Sequence, residues 1–139
     1  MAVANIGDEA TATREITEAD IEAYAQLTGD DNPLHTDAEY ADEGFFDGVV
    51  AHGMFGAGLI SAALAALPGD IVYLSQDLEF EAPVRPGDTV RATVRVVEEL
   101  GGDRVTVVTT AEVRGEEEAK PVITGSAVVL SVPHDAQQG

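Results

Sequence analysis

Residues 55–67 form an apolar run of Phe, Gly, Ala, Leu and Ile broken only by Ser61, with no charged side chain. A helix that is apolar nearly all round has to be covered on most sides. Its small residues, Gly56, Ala57, Gly58, Ala62 and Ala63, permit close approach of the covering layer, and Leu67-Pro68-Gly69 ends it. The hydrophobic period then changes. Over residues 71–84, Val72, Leu74, Leu78, Phe80 and Ala82 share one face, opposite Tyr73, Ser75, Asp77, Glu79 and Glu81; only Gln76 interrupts the apolar side. A period of two means a strand. Residues 89–100 place Val90, Ala92, Val94 and Val96 inward. Residues 104–114 do the same with Val105, Val107, Ala111 and Val113, after a hairpin at Gly101-Gly102-Asp103. A charged turn over 115–120 leads to a last Val- and Ile-rich strand at 121–132. Four strands with one apolar face each cover such a helix most simply as a curved antiparallel sheet wrapped around it. The expected class is α+β: one domain over residues 1–139 with its ordered core at 11–132. The sheet's free edge is a liability that dimerisation would cover.

The first third of the chain carries the chemistry. Residues 1–10 are polar and read as poorly ordered, and 11–16 as a short strand or an extended entry. Thr17 followed by Asp20 is a capping-box signature for a helix from Glu18. Ile21, Tyr24, Ala25 and Thr28 make its apolar stripe, and Gly29 stops it. A loop then carries Asp30, Asp31, Asn32 and His35, stiffened by Pro33, which fixes its own φ and biases Asn32 toward extended geometry. Thr36 with Glu39 repeats the capping pattern, so a short helix is expected over 37–42. Phe45, Phe46, Val49 and Val50 put bulky apolar surface on an irregular connection.

Asp30 and His35 are five positions apart and do not share a helical face; a loop is needed to aim both at one point. Together they can hold a water molecule and take its proton. The competing reading makes Asp30 and Asn32 turn formers, with His35 packed on the loop. His52-Gly53 opens the apolar helix, where unpaired N–H groups carry partial positive charge suited to an oxyanion. Here the competing reading is a glycine retained for packing. Ser61, about two turns along, reads either as a site residue or as a small packing residue bonded to a backbone carbonyl.

Charge narrows the partners. Twenty-six acidic residues against seven basic ones give a formal net charge of −19, and Lys120 is the only lysine. The acids are spread through patterned segments, which indicates a folded domain with an acidic surface. Such a surface repels nucleic acid and anionic lipid. It fits a high-salt interior, where the Debye length falls to about 3 Å at 1 M. With no cysteine there is no disulfide framework and no thiolate chemistry. The N-terminus lacks a basic region followed by an apolar run, so a soluble cytoplasmic protein is expected.

The stretch Tyr24-x-x-Leu27-Thr28-Gly29-Asp30-x-Asn32-Pro33-Leu34-His35, with Ala41 six further on, resembles the signature of the (R)-specific enoyl-CoA hydratases, or MaoC-like dehydratases. The similarity continues through Ala51-His52-Gly53-Met54, Leu67-Pro68-Gly69, Phe80 to Val84 and Pro86-Gly87-Asp88, so it spans residues 16–132. The resemblance implies a hot-dog fold, a homodimer or double hot dog, and an acyl-CoA substrate bound near the subunit interface. It implies hydration of a trans-2-enoyl-CoA to the (3R)-3-hydroxyacyl-CoA with no metal or redox cofactor. Asp30 and His35 match the catalytic dyad. Asn32 matches a residue supporting the loop or the water, the Gly53 amide an oxyanion donor, and Ser61 a brace for the dyad.

Other classes stay open at this point. An acyl-CoA thioesterase of the same fold would need a carboxylate on or opposite the apolar helix, and residues 54–67 contain none. A non-catalytic acyl-binding module would not need both Asp30 and His35. A 3-hydroxyacyl-carrier-protein dehydratase shares the chemistry. Acyl-chain depth is expected to depend on Leu64, Leu67 and the last strand, and some of Arg85, Arg91, Arg95, Arg104 and Arg114 are candidates for a phosphate patch.

Overall fold

A computed structural model describes residues 2–44, 46, 48–115 and 118–133. Chain order is β1 (Glu9–Glu15), α1 (Glu18–Thr28), α2 (Pro33–Thr36), α3 (Ala38–Asp42), α4 (Gly53–Ala65), β2 (Asp70–Phe80), β3 (Thr89–Gly101), β4 (Arg104–Arg114) and β5 (Ala119–Val132). The strands form one sheet in the order β1-β3-β4-β5-β2, and every neighbouring pair is antiparallel. Val90, Ala92, Val94 and Val96 of β3 and Val105, Val107 and Ala111 of β4 are buried, as their alternation requires. α4 packs against this face, touching β1, β2, β3 and β4. It also comes so close to β5 that a Cβ on Gly56 would lie 2.6 Å from Ile123 Cδ1.

The polar residue that interrupts the β2 pattern has a partner from β4. Gln76 Nε2 donates to Thr109 Oγ1 at 2.8 Å and lies 3.1 Å from the Ser126 carbonyl, and Thr109 is fully buried. A buried hydroxyl is tolerated because it is bonded.

α1 begins as its sequence dictates. Thr17 Oγ1 accepts from the Asp20 N–H at 3.0 Å, and Asp20 Oδ2 accepts from the Thr17 N–H at 3.1 Å. The Arg14 guanidinium, 2.8 Å from the Asp20 carboxylate, helps hold that carboxyl at about 2 rather than 3.8. At its other end Gly29 caps the helix at φ 82°, a left-handed geometry that glycine adopts without steric cost.

Several expectations are corrected. Residues 2–8 do not trail off: the Val3 N–H donates to the Ser131 carbonyl and the Ala4 N–H to Ser131 Oγ, with Ala2 and Ala4 buried. The loop after Gly29 holds a helical turn, α2, because Asn32 Oδ1 accepts from the Leu34 N–H and Pro33 occupies the first helical position. Asp37, not Thr36, caps α3, since its carboxylate accepts from the Tyr40 N–H. β2 stops at Phe80 rather than continuing to 84.

The largest departure concerns α4. Only Ile60, Ala63 and Leu64 are buried, while Met54 (57 % exposed), Gly58, Ser61, Ala62 and Ala65 face outward. A five-stranded sheet covers one side of the helix and leaves the other open. The same opening exposes Val72, Leu74 and Phe80 of the edge strand β2, where a register shift between Tyr73 and Ser75 interrupts the pairing with β5. Phe45, part of the 115–120 turn (Glu116 and Glu117) and the tail from 134 lie outside the described residues.

Candidate active site

The site is built where α1 ends. The Thr28 hydroxyl donates to the Tyr24 carbonyl and accepts from the Asp30 N–H at 3.1 Å, so the residue after the Gly29 cap is held by the helix it leaves. Asn32 then starts α2, which carries His35 in its single turn. The connection before α4 runs alongside: the Val50 N–H donates to the Leu34 carbonyl, and the Ala51 N–H to the Val84 carbonyl at 2.7 Å.

Two backbone carbonyls assign the proton positions of two imidazoles. His35 Nδ1 lies 2.7 Å from the Val50 oxygen, and His52 Nε2 lies 2.8 Å from the Asp30 main-chain oxygen. A carbonyl oxygen only accepts, so each facing nitrogen carries the hydrogen. His35 in its neutral form therefore keeps a lone pair on Nε2. His52 in its neutral form keeps one on Nδ1, which is buried with no hydrogen-bond partner. The two rings stack with centroids 3.9 Å apart and an interplanar angle of 28°. Tyr24 packs on His52 as well, at 4.6 Å.

Asp30, His35 and His52 each bring one ligand-type atom within 4.8 Å of the others, a grouping that has the composition of a metal site. Its geometry suits a cation poorly, because the imidazoles stack through their π surfaces and their in-plane lone pairs do not converge on one point. A carboxylate beside an imidazole with a free lone pair is instead an arrangement for holding and deprotonating water.

His35, His52 and Gly53 line a cavity of about 420 Å³ whose other walls are mostly apolar, among them Leu34, Phe55, Leu59, Val122 and Ile123. Gly53 is the first residue of α4, so its amide N–H stands at the positive end of the helix. Phe80 also reaches this point: a Cβ on Gly53 would lie 2.9 Å from Phe80 Cε1. Close packing therefore accounts for that glycine, which also lines the cavity.

Residues 3–117 match the family described as a MaoC-like domain. The chain belongs to the MaoC-like dehydratase family. An (R)-specific enoyl-CoA hydratase of Rhodospirillum rubrum is 44% identical over 127 residues, covering 89% of this chain and 85% of that protein. An R-hydratase of Pseudomonas aeruginosa in its unliganded form aligns with a TM-score of 0.85 at 34% identity, over 96% of this chain and 88% of that one. The (R)-hydratase of Aeromonas caviae involved in PHA biosynthesis aligns at 0.84 and 32% identity, over 93% and 97%. The fold is the hot dog expected.

Within this MaoC-like frame the expected residues separate into two groups. His35 and Gly53 share the cavity wall, Asp30 lies beside His35 without being among the lining residues, and Asn32 supports the turn that carries His35. Ser61 is exposed on the open face of α4 and is not among the cavity's lining residues. Leu64 and Leu67 are buried in the core and do not line the cavity, whereas Val122 and Ile123 of the last strand do. The arginines do not form one patch. Arg91 and Arg95 alternate with the buried residues of β3, so they lie on the opposite face, where they pair in register with Glu112 and Glu9. Arg85 is the one tied to the cavity wall, donating to the Phe46 carbonyl. His52 was absent from the expected dyad, because its link to Asp30 spans 22 residues and follows no local spacing. Among the described residues no helix is long and apolar enough to cross a membrane.

Proposed function

We propose that this chain is an (R)-specific enoyl-CoA hydratase, adding water reversibly to a trans-2-enoyl-CoA to give the (3R)-3-hydroxyacyl-CoA. One observation carries the reading: the Asp30 carboxylate and His35 converge beside an apolar cavity that also contains the Gly53 helix terminus. The thioester oxygen accepts from the Gly53 N–H, which stabilises the enolate charge that builds as C3 is attacked. The attacking water gives one hydrogen bond to Asp30 and one to His35 Nε2, turning an oxygen lone pair toward C3. Asp30 takes the proton, the hydroxyl stays on C3, and the proton passes to C2 on the same face. The acyl chain occupies the apolar cavity.

Water addition to a double bond already polarised by a thioester needs a base, an acid and an oxyanion donor, so the proposed reaction uses no metal or redox cofactor. The working unit is a homodimer: the open side of α4 and the β2 edge present Met54, Val72, Leu74 and Phe80, surface that a second copy would cover. The acidic surface repels polyanionic CoA unless salt screens it, which supports a salt-rich cytoplasm as the setting.

A thioesterase reading has one observation in its favour. Glu81 is a carboxylate on the cavity wall, although its Oε2 accepts from Thr124 Oγ1. Incubation with crotonyl-CoA in high salt, with a thiol reagent present, separates the two. Loss of the conjugated thioester absorbance without free thiol, yielding the (R)-alcohol, is the expected result. Free CoA would establish the hydrolase instead.

A further inference from the structure

We infer that His52 is a positioning residue for the hydration, one imidazole that ties the base, its partner and the oxyanion donor into a single rigid unit. The inference rests on the hydratase reading for its kinetic part and on hydrogen-bond geometry for the rest.

Three connections meet in this side chain. Its Nε2–H donates to the main-chain oxygen of Asp30 at 2.8 Å, so it fixes the point from which the carboxylate projects. Its ring lies against that of His35, limiting how far the second half of the dyad can tilt. Its backbone is the N-cap of α4, covalently joined to Gly53. Asp30 is exposed just past the cap, where Thr28 Oγ1 holds its N–H, and the His52 bond adds a second tether, from the start of α4, on its carbonyl.

Burial argues that this role is not simply one of filling space. His52 is 3 % exposed and packed by Tyr24 and His35, yet its Nδ1 has no partner. A buried acceptor left unpaired opposes folding. Phenylalanine would fill the slot without that penalty. The side chain retained is the one that can donate from the Nε2 position, at a cost to stability.

Amide isosteres separate the functions. Glutamine places its amide nitrogen where His52 has Nε2, whereas asparagine reaches only the Nδ1 position and phenylalanine donates nothing. His52→Phe is expected to melt no lower than wild type yet lose kcat by about 10²-fold, the scale of a small misplacement of a catalytic group, with KM little changed. His52→Asn should lose kcat similarly, and His52→Gln should recover most of it. Wild-type kcat in His52→Phe, or equal losses in the Gln and Phe variants, would overturn the assignment. A second readout does not depend on turnover. The chain has three histidines, so long-range proton–nitrogen NMR can identify the imidazole lost in His52→Phe. That ring should be protonated at Nε2 and bare at Nδ1, with a slowly exchanging hydrogen; the opposite tautomer overturns the tether. An inactive wild type would count against the hydratase reading, and the tautomer would still decide the tether.

Discussion

His35 Nδ1 lies 2.7 Å from the carbonyl oxygen of Val50, fifteen residues further along the chain. That bond fixes the imidazole's rotation and leaves Nε2 as its accepting atom, on a ring grouped with the Asp30 carboxylate. Replacing His35 with Ala or Asp30 with Asn is expected to lower turnover of crotonyl-CoA by about 10²–10⁴-fold. Circular dichroism should show an unchanged fold, because neither side chain is fully buried. Near wild-type rates in either variant would remove the dyad from the mechanism.

Gly53 offers a test of the oxyanion site. Its missing Cβ would stand 2.9 Å from Phe80 Cε1, and Phe80 is 53 % exposed, so the ring can shift to make room. Gly53→Ala should therefore fold but displace what covers the amide, costing about tenfold in kcat/KM, less than outright loss of an oxyanion donor. Adding Phe80→Ala should return part of that loss. If Gly53→Ala is fully active, the thioester oxygen docks elsewhere.

The open side of α4 and the β2 edge make a prediction about assembly. Leu74 is 50 % exposed on the edge strand at the register shift. Light scattering should find wild type as a dimer and Leu74→Asp as a monomer, since a carboxylate there would be buried without a partner. A monomeric wild type would leave the apolar edge without the proposed occupant.

At the start of α1, the acid response has a definite sign. Asp20 titrates at about 2 because it bonds Arg14 and the Thr17 backbone, against an ordinary value of 3.8. A depressed carboxyl contributes its full stabilisation above the ordinary value and loses it as pH falls through about 2. Asp20→Asn should therefore be less stable than wild type at neutral pH, with the difference shrinking over that acidic window. Thr17→Ala removes the cap bond itself and should cost about 1 kcal/mol, measured by denaturant unfolding.

Salt should matter throughout. With a net charge of −19, self-repulsion opposes the compact state until ions screen it. The melting temperature is expected to rise with potassium chloride into the molar range. Equal stability with and without salt would remove the high-salt setting.

The sequence by itself determined what short-range chemistry controls. The capping box at Thr17 and Asp20, the stop at Gly29, the alternation in β3 and β4, and the placement of Asp30 and His35 beyond a helix cap depend on residues within a few positions of each other. Even α2 was locally encoded, since Asn32-Pro33 is a helix start, although it read as a loop. Tertiary structure decided the rest, because those relations join distant segments. Only the assembled sheet could show that Gln76 would find Thr109, that Ser131 would hold residues 3 and 4, and that β5 would line the cavity with Val122 and Ile123. Composition made α4 apolar nearly all round, but how much of it is covered depends on how far five strands can wrap. His52 is the clearest case: its position just before the apolar run put it at the start of α4. Folding alone brought it to the carbonyl of Asp30 and the ring of His35, where a single hydrogen bond acts across 22 residues of chain.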